Sequence, residues 1–160
     1  MRNIRVAVWG FGAMGGGITK VLLQKTGVEI TGVCDLHPNR VGKSIFALLD
    51  LARGDRADVI VNSDIDAVLT KKSADVCIVA TDSFTKDVYP KLVKVLSRGI
   101  NAISTAEEMS YPAAKQPELA KEIDRVAKEH GVTALGTGIN PGLMMDLLAI
   151  CLTGCMTSVD

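Results

Sequence analysis

Gly10, Gly12 and Gly15 stand in the spacing G-x-G-x-x-G directly after a β-branched run, Ile4, Val6 and Val8. That order of residue types suits one task, holding a phosphate against main chain. Gly10 permits a tight turn, Gly12 lets the backbone approach a pyrophosphate with no Cβ in the way, and Gly15 lets the following helix pack close to its strand. Phe11, Ala13 and Met14 complete the loop, whose N–H groups in the first helical turn face the phosphates with the helix dipole behind them. Asp35 ends the next β-rich run, where a carboxylate can accept hydrogen bonds from a ribose. Arg40 and Lys43 follow closely, so a cation is at hand for a 2′-phosphate. NAD is the expected cofactor and NADP is possible. The plain alternatives are a glycine turn with no ligand, and Arg40 and Lys43 as no more than a solvated helix face.

Other polar groups gather after later apolar runs. Thr81, Asp82 and Ser83 follow Val76 to Ala80, and Ser104, Thr105 and Glu107 follow Asn101 to Ile103. In open α/β sheets the loops at that edge form the ligand crevice, so these residues are expected at the cofactor. Glu107 and Glu108 are candidate acids or bases, or else solvated or capping carboxylates. His37 suits the adenosine end and His130 a helix C-terminus, so neither reads as a catalytic base. Asn140, restricted by Pro141 to an extended conformation, contacts substrate or merely shapes its turn. Cys34 and Cys77 fall in apolar runs as small buried hydrophobes, and Cys151 and Cys155 lack further ligands at zinc spacing, so no metal is expected.

The elements that must position these groups alternate along the chain. A helix carrying Met14, Ile18, Val21 and Leu22 on its inward face follows the first strand. Gly27 leads into a second strand, Val28 to Asp35. A helix from Pro38 through Leu51 comes next, then a short strand at Val59 to Val61 and a helical turn through Ala67 to Leu69 capped from Asn62 to Asp64. Val76 to Ala80 is a buried parallel strand, Phe84 to Arg98 an amphipathic helix stopped by Gly99, and Asn101 to Ser104 a fifth strand. Pro117 opens a helix to His130, and Val132 to Leu135 is a sixth strand. The loop Gly136 to Gly142 and an apolar helix, Leu143 to Leu152, end the pattern. The expected fold is α/β, a Rossmann-type doubly wound parallel sheet of about six strands in the order 3-2-1-4-5-6.

The 160 residues suffice for one domain of ordinary size. Apolar residues make up 48% and aromatic ones only 4%, which suits strands of Val, Ile and Ala buried on both faces. Lys plus Arg and Asp plus Glu each number 18, so nothing recommends nucleic acid, and no run of about 20 apolar residues recommends a membrane. A cytoplasmic protein with a small-molecule partner is expected. Residues 1–138 read as the dinucleotide-binding domain, and 139–160 as a loop and apolar helix leading into a second domain beyond this sequence.

Taken together, Trp-Gly-Phe-Gly-Ala-Met-Gly-Gly-Gly at 9–17, Gly-Val-Cys-Asp ending at Asp35 with Pro-Asn-Arg-Val-Gly-Lys after it, and Gly-Thr-Gly-Ile-Asn-Pro-Gly at 136–142 resemble the amino-terminal domain of the dihydrodipicolinate-reductase-like dehydrogenases. The resemblance implies an NAD(P)-dependent amino-acid dehydrogenase acting on a CH–NH2 group, above all the oxidative deamination of 2,4-diaminopentanoate to 2-amino-4-oxopentanoate. It also implies a homo-oligomer and a carboxyl-terminal substrate domain, to which the family's His and Lys motif belongs, so no catalytic residue carries over. It matches Gly10, Gly12, Gly15, Asp35 and the loops at 81–83 and 104–107 to cofactor contacts. A dihydrodipicolinate reductase, a homoserine or aspartate dehydrogenase, and a non-catalytic nucleotide sensor are the alternatives.

Overall fold

Six parallel strands form one sheet in the order β3-β2-β1-β4-β5-β6, as expected from the alternation of elements. They are β1 (Ile4–Trp9), β2 (Val28–Cys34), β3 (Val61–Asn62), β4 (Val76–Val79), β5 (Asn101–Ser104) and β6 (Ala134–Gly136). The computed structural model describes residues 2–159 apart from the Pro141 side chain, so Met1 and Asp160, the ends of the two expected segments, lie outside the described residues. The helices are α1 (Ala13–Leu22), α2 (Ile45–Leu48), α3 (Ile65–Val68), α4 (Thr85–Leu96), α5 (Pro117–His130) and α6 (Leu148–Thr153).

The order reverses between β2 and β4 on either side of β1, which puts the switch point of the sheet directly above Gly10. Alternation along the strands splits the core in two. Val6 and Val8 of β1 join Ile30, Val33, Ile45 and Phe46 on one face. Ala7 and Cys77 join Leu69, Val88, Leu92 and Val95 on the other. Cys34 and Cys77 are buried, as a short apolar side chain in a two-sided sheet should be.

The largest differences from expectation lie at α1, at α2 with β3, and after β6. On α1 the inward face is Gly15, Gly16 and Thr19, whereas Met14 and Val21 are 59% and 54% exposed. The small side chains let the helix axis approach the sheet, and the Thr19 hydroxyl donates to the Gly15 carbonyl at 2.7 Å. Ile18 and Leu22 do pack against the core from the flank.

The helix expected over 38–51 is reduced to the single turn α2. Residues 42–45 pair instead with 59–61: Gly42 N–H donates to Val61, Val61 N–H to Lys43 and Ile45 N–H to Val59. Gly42 has φ +78° and Asp50 φ +51°, which a continuous helix does not allow. The same pairing takes Val59 and Ile60 out of β3, leaving Val61 and Asn62 beside β2.

The loop and helix expected over 136–152 form a nine-residue π-helical segment, Ile139–Leu147, running into α6. Asn140 therefore sits in a helical turn rather than in an extended one, and is exposed. The Asp146 carboxylate accepts from Gly142 N–H at 2.8 Å, fastening the turn from inside the same segment.

Candidate dinucleotide-binding site

At the carboxyl ends of β1, β2 and β4 lies a cleft of about 540 Å³, lined by Gly10, Gly12, Asp35, Arg40, Thr81 and Lys91 among others. The glycine turn forms its edge, and the three glycines do different work. Gly10 has φ +95°, and a Cβ there would meet the Ala80 carbonyl at 2.6 Å. A Cβ on Gly15 would stand 1.8 Å from the Gly10 carbonyl, so its absence is what allows the turn to close onto the helix. Gly12 has φ −74° and nothing within 4 Å of the Cβ position. It guards open space rather than a packing contact.

That open space adjoins the N-terminus of α1, where no side chain caps the helix and no acidic residue occupies the first turn. The N–H groups of a first turn have no partner within their own helix. With a strand, a reversal and unpaired donors converging, the cradle fits a pyrophosphate.

Asp35 closes the other side, and its carboxylate is already engaged. Phe11 N–H donates to it at 2.6 Å, His37 N–H at 2.7 Å, and the Arg40 guanidinium lies 3.3 Å away. Burial pushes the carboxyl up, and the His37 and Phe11 N–H bonds with the Arg40 charge outweigh it, so Asp35 titrates below its ordinary value. Asp35 thus ties the β2 edge of the cleft to the glycine turn. Phe11 offers the cleft no side chain, since its ring is buried in the core of the β2 face. Met14 and Ala13 are exposed at the start of α1, and Lys43 is exposed without lining the cleft.

On the β4 side, Thr81 is exposed at the cleft and Asp82 is held by Lys91 at 2.5 Å. Burial raises the Asp82 carboxyl and the Lys91 and Thr81 hydrogen bonds lower it further than that. Ser83 is exposed, and its carbonyl accepts from Glu108 N–H at 3.2 Å, which joins the β4 and β5 loops. Ser104 is buried and its hydroxyl accepts from Ala106 N–H, so its side chain shapes the β5 loop instead of facing a ligand. Thr105 is half-buried there.

The two adjacent carboxylates separate. Glu108 accepts from Thr85 N–H at 2.9 Å and lies 3.4 Å from Lys115, capping α4 from outside. That N–H bond, more than the Lys115 contact, holds the Glu108 carboxyl low. Glu107 is exposed at the sheet edge, and its carboxylate makes no hydrogen bond or ion pair among the described residues. Those residues also contain no cluster of three His, Cys, Asp or Glu side chains suited to a metal, and Cys151 and Cys155 are exposed free thiols.

A family model described as dihydrodipicolinate reductase, N-terminus, matches residues 4–134. The chain belongs to that family. The chain is 52% identical over 159 residues to a 2,4-diaminopentanoate dehydrogenase of Acetoanaerobium sticklandii, covering 99% of this chain and 44% of that protein. An amine dehydrogenase of Streptomyces virginiae is 24% identical, with 98% and 44% covered. Among solved structures, an amine dehydrogenase from Mycobacterium smegmatis superimposes with a TM-score of 0.86 at 35% identity, covering 98% of this chain and 45% of that one. The chain therefore spans less than half the length of the curated relatives it matches.

Four residues of the cleft escape a reading by motif: Leu36, Ser63, Ile65 and Lys91. Ser63 and Ile65 arrive through α3, whose cap Asp64 accepts from Asp66 N–H at 2.8 Å. Lys91 reaches the cleft across two turns of α4. The one signal for it in the sequence is a lysine beside Leu92, which belongs to the buried face of α4.

Proposed function

We propose that this chain is the cofactor-binding part of an NAD(P)-dependent oxidoreductase acting on a CH–NH2 group. The oxidative deamination of 2,4-diaminopentanoate to 2-amino-4-oxopentanoate is the substrate reading best supported by the 52% likeness to a dehydrogenase of that name. The observation that carries the cofactor half is the open cradle at Gly12, bounded by the uncapped start of α1 and by Asp35. Residues 1–138 then form the dinucleotide-binding domain, and 139–160 lead towards a second domain that holds the amino-acid substrate and the homo-oligomer contact.

In this reading the N–H groups of Gly12, Ala13 and Met14 bind the pyrophosphate, and Asp35 accepts a ribose hydroxyl. Arg40, 3.3 Å from Asp35, is the cation within reach of a 2′-phosphate, so NAD is the first cofactor and NADP the second. Thr81, Asp82, Ser83, Ser104, Thr105 and Glu107 belong to the two loops that meet the cofactor, Ser104 by shaping its loop. Bound nicotinamide supplies the hydride acceptor. The amine-bearing carbon loses a hydride and its nitrogen a proton, after which water adds to the imine and ammonia leaves. Glu107, with Glu108 committed to α4, is the carboxylate available at that edge to take up a proton.

Hydride transfer needs the reacting carbon held about 3 to 3.5 Å from the ring, which calls for a second wall opposite the sheet edge. The test follows reduced-cofactor absorbance with 2,4-diaminopentanoate. The 160-residue chain should bind cofactor without turnover, and a chain extended to its relatives' length should turn over. Robust turnover by the shorter chain would refute the need for a second wall, and an inactive longer chain would refute the substrate.

A further inference from the structure

Arg40 and Lys91 both line the cleft, and they are held very differently. Arg40 stands 3.3 Å from Asp35, a loose pair on the β2 side. Lys91 stands 2.5 Å from Asp82 Oδ2 and 2.9 Å from Thr81 Oγ1. The Thr81 hydroxyl in turn donates to the same Asp82 oxygen at 2.5 Å, closing a three-membered clamp. An ammonium has three donors, so one N–H of Lys91 remains. Its charge is already matched by Asp82 at contact distance. What it offers the cleft is a hydrogen bond to an uncharged acceptor rather than a site for another anion.

The surroundings of that N–H are apolar. Lys91 Nζ lies 6.0 Å from the centre of the Trp9 ring, and Ile65 and Leu36 line the same cleft. An indole flank with aliphatic neighbours suits the face of a nucleobase, whose stacking is sequence-tolerant by itself. A donor fixed at the edge of such a surface reads the base's ring nitrogens. The clamp is also braced against the glycine turn, because Thr81 Cγ2 lies 2.7 Å from the position a Gly10 Cβ would take.

We propose that Lys91 is a specificity-determining residue of the cleft: clamped by Asp82 and Thr81 beside Trp9, it donates its third N–H to a ring nitrogen of the adenine. The inference rests on the dinucleotide reading above and adds which residue recognises the base. Sequence motifs for dinucleotide sites say nothing of it, since the glycines and Asp35 contact only phosphate and ribose.

The experiment titrates AMP and its 1-deaza, 3-deaza and 7-deaza analogues into the wild-type chain and into Lys91→Met, which keeps an unbranched apolar stem beside Trp9. The wild-type chain should bind one of the three analogues roughly three- to tenfold more weakly than AMP, the size of one net hydrogen bond. Lys91→Met should bind AMP and that analogue equally. Equal wild-type affinity for all four ligands would overturn the proposal without using the variant at all. A variant that loses affinity equally for all four would also overturn it, since Lys91 would then only shape the loop. If NAD binds while the deaza series shows no discrimination, the base contact alone fails. If neither AMP nor NAD binds, the dinucleotide reading fails with it.

Discussion

Asp35 shows how a residue legible in the sequence can carry a second duty that is not. Its place after the second strand points to a ribose, and in the fold it lines the cleft. The bond from His37 N–H is local, two residues on, but the bond from Phe11 N–H depends on a turn folding back over 24 residues, which no local pattern reveals. Asp35→Ser should raise the ratio of NADP to NAD affinity by roughly tenfold, about 1.4 kcal/mol, by freeing Arg40 and removing a charge. It should also cost about 1 to 3 kcal/mol of stability, because two N–H groups lose their acceptor. Asp35→Asn, which keeps one carbonyl acceptor, should fall between. Titration with both cofactors, together with urea unfolding, checks this; a changed ratio at unchanged stability would mean that the loop does not lean on Asp35. Asp75, at the opposite end of the sheet, sets an acid limit. The Arg5 side-chain hydrogen bond, then the Arg5 N–H, holds its carboxyl at about 2. A carboxyl depressed on folding contributes stability that is fully present above its unfolded value of about 3.9 and lost as pH falls through the folded value. The gap in stability between the wild-type chain and Asp75→Asn should therefore be constant above about pH 5 and shrink from pH 4 towards 2. A gap that stays constant down to pH 2 would contradict the assignment.

Among the elements, those defined by their own residues were readable and those defined by a distant partner were not. Asn101–Ser104 and Pro117–His130 follow from a β-rich run and from an N-terminal proline with a glycine stop, Gly131 taking φ +63°. The stretch after Pro38 carries helical spacing too, and loses to pairing with residues 59–61 that locality cannot foresee. On α1 the apolar spacing marks the core only in part: Ile18 and Leu22 pack from the flank while Met14 and Val21 turn outward, because the closest approach to a sheet selects glycine over methionine. Gly136 is another close approach, this time between β6 and the 3-10 turn Glu107–Ser110. A Cβ there would stand 1.9 Å from the Met109 carbonyl. Gly136→Ala should push that turn aside and cost about 1 to 3 kcal/mol, as overpacking does. Equilibrium urea unfolding measures it, and a neutral result would mean that the turn moves freely.

For the whole molecule, the two-sided core and the cleft at the switch point follow from alternation and topology, while the surface of the last segment follows from neither. Leu143, Met145, Leu147 and Ile150 are all exposed, with Asp146 the one charged residue among positions 139–159. An apolar surface of that kind favours association, so the 160-residue chain should sediment as a concentration-dependent oligomer and Leu147→Glu with Ile150→Glu should return it to monomer. A wild-type chain that stays monomeric at high concentration would exclude this. No helix among the described residues is long and apolar enough to cross a membrane. The central claim, that the glycine turn holds a dinucleotide pyrophosphate, is tested most directly at Gly12, whose backbone is open to any L-residue at φ −74°. Calorimetric titration of NAD into the wild-type chain and into Gly12→Val, with unfolding curves for both, is the measurement. The account predicts equal stability and an affinity lower by at least tenfold in the variant, about 1.4 kcal/mol. Equal affinity in two equally folded proteins would contradict it.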